Sequence, residues 1–321
     1  MVVTTSQRRA GLVSVGMVVF LCMTATAARA QIANIGLNPS TPGARAGSMG
    51  RTFIGIADDA SASITNPAGL FSLSRPQVYA EFSSARIESD FSSGERTSGL
   101  SFFGLSAPIG GRTAVAFSRH EFFRFKDFGD QFLGVSYAGS VSVSAGPDLQ
   151  VGVTISADTV TVPGTSSHTS IGAVIGGLWH PTDTLKVGLV GAIGSKHGDD
   201  IGFNNPNRLG GGVGFRPTSR VLVAADLVWI QSSKMLPFSG ILDDTVETHA
   251  GLEFQAVTGD TALFLRAGAF TSSGDSFFEI QSVPSKSAAI GVGVSGRGRY
   301  QVDFGFLTAN REIRLSAAFR F

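Results

Sequence analysis

From Gln77 to Phe321 the sequence repeats one pattern: short runs in which apolar residues alternate with polar or small ones. In the last run Ile313, Leu315, Ala317, Phe319 and Phe321 fall on one face, and Glu312, Arg314, Ser316 and Arg320 fall on the other. Tyr300, Val302, Phe304 and Phe306 alternate with Gln301, Asp303 and Gly305. Ala250, Leu252 and Phe254 alternate with His249 and Glu253, while Val221, Val223, Leu227 and Trp229 oppose Asp226. Only a strand period collects the charges on one side in this way. About fourteen such segments are expected, near 77–86, 98–108, 112–122, 131–145, 149–161, 167–180, 185–196, 208–216, 220–231, 247–256, 261–272, 287–296, 299–308 and 312–321, within a bracket of 12 to 16. Each is close to the ~9–11 residues a tilted membrane strand needs.

Alternation does not say which face meets lipid. A soluble sandwich buries the apolar face, whereas a transmembrane barrel turns it outward and the charges inward. Composition favours the barrel. Charged residues make up 15% of the chain, below the ~25% of ordinary domains, and mean hydropathy is positive. No apolar stretch beyond the first thirty residues is long enough for a helical span. Only a closed barrel then satisfies the backbone in lipid.

The connections point the same way. Tight turns at 108–111, 145–148, 181–183, 216–219, 257–260 and 296–298 alternate with mostly longer links at 87–97, 123–130, 162–166, 197–207, 232–246 and 273–286. That is the outer-membrane arrangement of periplasmic turns and extracellular loops. Prolines should avoid strand interiors. Pro108, Pro147, Pro181 and Pro217 are expected in the tight turns and Pro163, Pro206, Pro237 and Pro284 in the loops. Trp229 and Trp179 fall near opposite strand ends, as interfacial aromatics do.

The first thirty residues read as a signal peptide. Arg8 and Arg9 precede an apolar run to Met23, and Ala28-Arg29-Ala30 is a cleavage site before Gln31. Cleavage removes three arginines and no acid, so 25 basic and 24 acidic residues become 22 and 24. That balance does not suit a nucleic-acid partner. Cys22, the one cysteine, leaves with the signal, and thiol chemistry goes with it.

Between the signal and the first strand lies a stretch without alternation. It carries Gly43-Ala44-Arg45-Ala46-Gly47-Ser48-Met49-Gly50, then Ile56-Ala57-Asp58-Asp59-Ala60-Ser61-Ala62, then Asn66-Pro67-Ala68-Gly69-Leu70. Locally, Asn66 starts a turn, Pro67 fixes φ and Gly69 permits a tight conformation. Asp58 and Asp59 are expected to cap a short helix or to pair with lumen arginines. Taken in order, the three pieces resemble the N-terminal signature of the FadL superfamily, which also includes shorter PorV/PorQ-like proteins, the branch nearer in length. The resemblance implies a fourteen-stranded outer-membrane barrel with an N-terminal hatch inside it, pinned at the Asn-Pro-Ala motif. It implies passive transport of fatty acids or aromatic hydrocarbons, or, in PorV-like relatives, a barrel that anchors or hands on secreted proteins. The sequence departs from the common pattern at Arg51-Thr52, where relatives continue glycine-rich.

The expected fold is therefore all-β: a transmembrane antiparallel barrel over 77–321, a hatch over 31–76 and a signal over 1–30. The hatch, being short, is expected to constrict the lumen rather than seal it. Lumen-facing polar residues are Glu81, Lys186, Asp226, His249, Glu253, Arg266, Asp303 and Arg314. Phe122, Phe123, Phe125 and Phe128, placed at the end of the third strand and in the loop after it, form either a ligand groove or an interfacial girdle. The terminal Phe321 resembles the signal read by the barrel assembly machinery. A monomer in the outer membrane, surrounded by lipid, is expected. The five histidines are scattered, with no Gly-x-Ser-x-Gly and no metal-ligand spacing, so neither enzyme, cofactor nor metal is expected. The Ser-rich loops 232–246 and 273–286 are the expected contact surface for a secreted protein.

Overall fold

The computed structural model describes residues 41–86, 96–127, 130–161, 164, 167–197, 204–231, 233, 244–273, 285–308 and 311–321. The signal segment, residues 31–40 of the hatch, and most of the loops 232–246 and 273–286 lie outside these.

Fourteen antiparallel strands are described: β1 (Gln77–Arg86), β2 (Arg96–Ile109), β3 (Thr113–Asp127), β4 (Asp130–Ser144), β5 (Leu149–Thr161), β6 (His168–Thr182), β7 (Leu185–Ile193), β8 (Arg208–Thr218), β9 (Val221–Ile230), β10 (Thr245–Val257), β11 (Thr261–Ser273), β12 (Ser285–Gly296), β13 (Tyr300–Leu307) and β14 (Glu312–Arg320). Each pairs with its neighbours in sequence, and β14 closes on β1 from Gln77↔Arg320 to Ser84↔Ile313. Closure leaves no terminal strand without a second neighbour, as a wall in lipid requires.

The alternation sorts as a barrel demands. Ile171, Ile193, Leu189, Leu209, Ile175 and Ile155 are between 61% and 74% exposed. Glu81, Asp226, Glu253, Arg266, Asp303 and Arg314 on the opposite face are at most 4% exposed. An apolar face of this extent is a lipid surface, not a water surface. Trp179 and Trp229 are both on it.

Two expectations about the strand ends are corrected. The span 123–130 is not a long loop: β3 runs to Asp127 and β4 starts at Asp130. A β-bulge between Glu121 and Phe123 breaks the alternation there and hides the strand. Pro108, Pro181 and Pro217 lie in the last residues of β2, β6 and β8 rather than in the turns. A strand end tolerates proline because the missing donor falls where the ladder is ending.

Candidate functional site

The hatch from Gly43 to Ser72 lies within the barrel. It consists of α1 (Ala44–Ser48), α2 (Ala62–Thr65) and a 3-10 turn (Pro67–Ser72). These pieces are too short to hold themselves together, and they are held by the wall. Arg45 clamps Glu253 of β10 through Nε at 2.7 Å and Nη2 at 3.2 Å, and it pairs with Asp58. Arg266 donates to the same Glu253 and to Asp303, both at 2.8 Å, so the clamp continues along β10, β11 and β13. Asp226 of β9 accepts from the backbone N–H of Phe53 at 2.6 Å and of Ile54 at 3.0 Å. Glu81 of β1 accepts from Gly43 N–H at 2.7 Å. Arg314 donates to Glu312 at 2.8 Å and to the Thr41 carbonyl at 2.6 Å. Lys186 is half-buried on the inner side of β7, and His249 lies 3.1 Å from Glu247. The lumen charges are thus largely occupied in seating the hatch.

Asn66 is fully buried. Its Nδ2 donates to the carbonyls of Ile54 at 2.9 Å and Gly177 at 3.2 Å, and its Oδ1 accepts from Ala68 N–H at 3.3 Å. It therefore ties the hatch to itself, ties it to β6 and caps the 3-10 turn, with Pro67 at the first turn position. Ser142 donates to the Ala68 carbonyl at 2.8 Å. Gly69 has no room for a side chain, since an added Cβ would stand 1.8 Å from the Ala57 carbonyl oxygen.

The two aspartates divide the expected roles. Asp58 takes the arginine: burial pushes its carboxyl up, but Arg45 outweighs that and holds it below the usual range. Asp59 instead heads the turn into α2, accepting from Ser61 N–H at 2.9 Å and Ser61 Oγ at 2.6 Å. Burial, with Asp58 beside it, pushes Asp59 up to about 6. Arg51, at the departure from the glycine-rich pattern, has a positive φ of 68° and lays its guanidinium 4.1 Å from the centroid of Phe270.

Two hollows border the hatch, both partly open to solvent. One is lined by Ile54, Val190, Val228 and Ile230 with Arg51, Asp226, Glu247 and His249. The other is lined by Ile64, His120, Phe122, Ser136, Thr154 and Asp158, and Arg208 borders both. Of the four phenylalanines, Phe122 is buried and faces the second hollow. Phe123 and Phe125 are on β3, where only their backbone is described, and Phe128 lies outside the described residues.

Beside that hollow the wall changes. β2 and β3 pair only from Ile109↔Thr113 to Phe102↔His120. Beyond that point, among the described residues, β2 pairs only with β1, and β3 only with β4. The carbonyls left facing the seam are met by side chains: Arg119 donates to Leu100 O at 2.7 Å, and Arg124 donates to Ser98 O. Glu121 sits between the two arginines, 2.5 Å from each. By alternation Arg119 and Glu121 continue the outer row of Val115 and Phe117.

The sequence reading also missed a polar group at the β7–β8 connection. Ser195 Oγ donates to Asp158 Oδ2 at 2.8 Å and lies 3.1 Å from His197 Nε2, while Asn205 Nδ2 bonds both Asp158 and Ser195 at 3.0 Å. Serine stands between histidine and aspartate here. A hydrolytic triad needs the histidine in the middle, so this group anchors a loop rather than activating a nucleophile.

No protein-family model and no curated protein matches the sequence. Solved structures do match in fold. The CymD monoaromatic hydrocarbon channel is 16% identical, with a TM-score of 0.68 over 88% of this chain and 98% of that one. The Ralstonia pickettii toluene transporter TbuX is 14% identical, with a TM-score of 0.67 over 88% and 99%. A Pseudomonas aeruginosa FadL homologue is 13% identical, with a TM-score of 0.62 over 88% and 98%. The chain shares the barrel fold of these proteins.

Proposed function

We propose that this chain is a monomeric outer-membrane conduit for passive movement of small hydrophobic molecules, fatty acids or aromatic hydrocarbons among them. The observation that carries the reading is the unladdered seam between β2 and β3 beside a hollow that contains Phe122. The hatch narrows the axial route, and a solute resting above it is next to a wall that lacks its ladder. Hydrophobic cargo gains by leaving sideways into lipid rather than through water. The fold neighbours, a monoaromatic hydrocarbon channel and a toluene transporter, support this chemistry.

The site roles follow from that reading. Asn66, Pro67, Ala68, Gly69, Asp58 and Asp59 hold the hatch, the lumen charges seat it, and Phe122 with its neighbours in β3 meets the cargo. The mature protein starts near Gln31. Phe321, 65% exposed with its N–H bonded to the Pro76 carbonyl at 3.1 Å, presents the end signal to the assembly machinery.

Uptake of radiolabelled toluene and of a labelled long-chain fatty acid by cells with and without the gene tests the proposal. Loss of either uptake on deletion, restored by the intact gene, is expected. Unchanged uptake of both, with secreted proteins co-purifying with the barrel, would replace the conduit with an anchoring role.

A further inference from the structure

The second hollow has a polar corner that a bare hydrocarbon does not explain. Asp158 on the inner face of β5 is 5% exposed, and only its Oδ2 is engaged, by Ser195 and Asn205. Its Oδ1 is buried with no hydrogen-bond partner among the described residues, and so is Oδ1 of Asn205. Both residues line the hollow, opposite Phe122 and Ile64. Two buried acceptor oxygens without donors are costly, and more so when one belongs to a carboxylate. The donors that satisfy the other Asp158 oxygen come from the loop, so the orphan pair is not left over from a loose loop. Arg208 also lines the hollow, with its charge acting on Asp158.

From this arrangement we infer that the hollow is a binding site for a neutral hydrophobic molecule bearing a hydroxyl group, such as an alkylphenol. The inference rests on the conduit reading and names the class of cargo. The hydroxyl donates its one hydrogen to Asp158 Oδ1, the charged and therefore stronger of the two acceptors, and its own oxygen faces the Arg208 guanidinium. The ring lies against Phe122, Ile64 and Val174. A hydrogen bond to a charged acceptor is among the stronger kinds. A hydrocarbon of the same shape leaves the carboxylate oxygen buried and unmet, and a carboxylate ligand sets its charge against Asp158.

The matched probes are p-cresol and toluene, which differ by one hydroxyl. Equilibrium dialysis of each, radiolabelled, against the purified full-length protein in detergent gives the ratio of affinities. The wild type should bind p-cresol at least about tenfold more tightly. Asp158→Asn separates the two roles of this side chain. Its oxygen still serves Ser195 and Asn205, while its amide replaces a charged acceptor with a neutral donor at the hollow, so the ratio should fall severalfold. A wild-type ratio near one, or an undiminished ratio in Asp158→Asn, overturns the inference. Heat-modifiable migration reports whether the variant is folded; if it is not, the wild-type ratio decides alone. Cells that show no uptake although the purified protein prefers p-cresol would remove the conduit and leave the site. Toluene uptake without a p-cresol preference would do the reverse.

Discussion

Replacing Asn66 by alanine strikes the point where the hatch is tied to itself and to the wall. The side chain is fully buried and makes three hydrogen bonds, two of them donated to the carbonyls of Ile54 and Gly177. Losing the cap costs about 1 kcal/mol. Stranding a buried acceptor costs roughly 1–3 kcal/mol more, so a total of about 3 kcal/mol is a fair central figure. At 1.4 kcal/mol per tenfold, the fraction of molecules with this half of the hatch unseated rises about a hundredfold. The other half remains held by the Arg45–Glu253 clamp and by Asp226, so the barrel itself stays folded. Single-channel recording in planar bilayers reads the change as more frequent open bursts, with heat-modifiable migration intact. Ser72→Ala, which removes one 3.3 Å bond to Gln150, is the control for a minor contact. If Asn66→Ala opens no more often than Ser72→Ala, the motif does not pin the hatch. Deleting 31–42 should also have only a mild effect, because it removes the Thr41 carbonyl bonded to Arg314 but leaves the ties at Arg45, Asp226 and Asn66.

Gly268→Val should unseat the hatch from the opposite wall, since an added Cβ would stand 2.1 Å from the Met49 carbonyl carbon; protease cutting within 43–72 of the folded barrel is the readout, and full protection would refute the close contact. Asp59 titrates near 6, above its ordinary value near 3.9, so it favours the seated hatch below about pH 4, and that contribution is lost as pH rises through 6. Asp59→Asn keeps the bonds to Ser61 and should flatten the pH dependence of burst frequency between 4 and 7; a slope equal to wild type would show that another group controls it. The pair Arg119→Leu and Arg124→Leu leaves the Ser98 and Leu100 carbonyls unmet at the seam. Toluene uptake should then rise severalfold, whereas ion conductance, which follows the lumen, should not; a parallel rise in both would place the leak in the hatch.

Strand number and facing were legible because they depend on a period of two and on where charges fall. Ile313 to Phe319 outward and Glu312 to Ser316 inward follow directly from that rule. The end of β3 was not legible, because the bulge at Glu121 shifts the period by one and the residues beyond it look like loop. The motif from Asn66 to Leu70 could be picked out as a turn, but its partners could not. Gly177 and Ile54 lie 111 and 12 residues away, and nothing local specifies either. The same holds for Asp58 and Asp59: adjacent and chemically equal, they differ only in that Arg45 reaches one of them. Ser195, His197 and Asp158 were scattered in the sequence and meet only because the β7–β8 connection folds inward over β5.

The glycines of the inner wall have a consequence for the order of assembly. Gly152, Gly188, Gly212, Gly251 and Gly268 each lie where an added Cβ would stand within 2.4 Å of a hatch atom or, for Gly212, 2.1 Å from the Asp226 carboxylate that holds the hatch. These positions belong to β5, β7, β8, β10 and β11, so the seat is spread around the circumference and no single hairpin carries it. The hatch continues directly into β1, and β1 forms the closing ladder with β14. A cast exists only once the mould has curled around it. The last ladder to zip and the hatch to settle are therefore one event, in which a barrel arrested before closure exposes its N-terminal segment and a barrel past that point has already swallowed it.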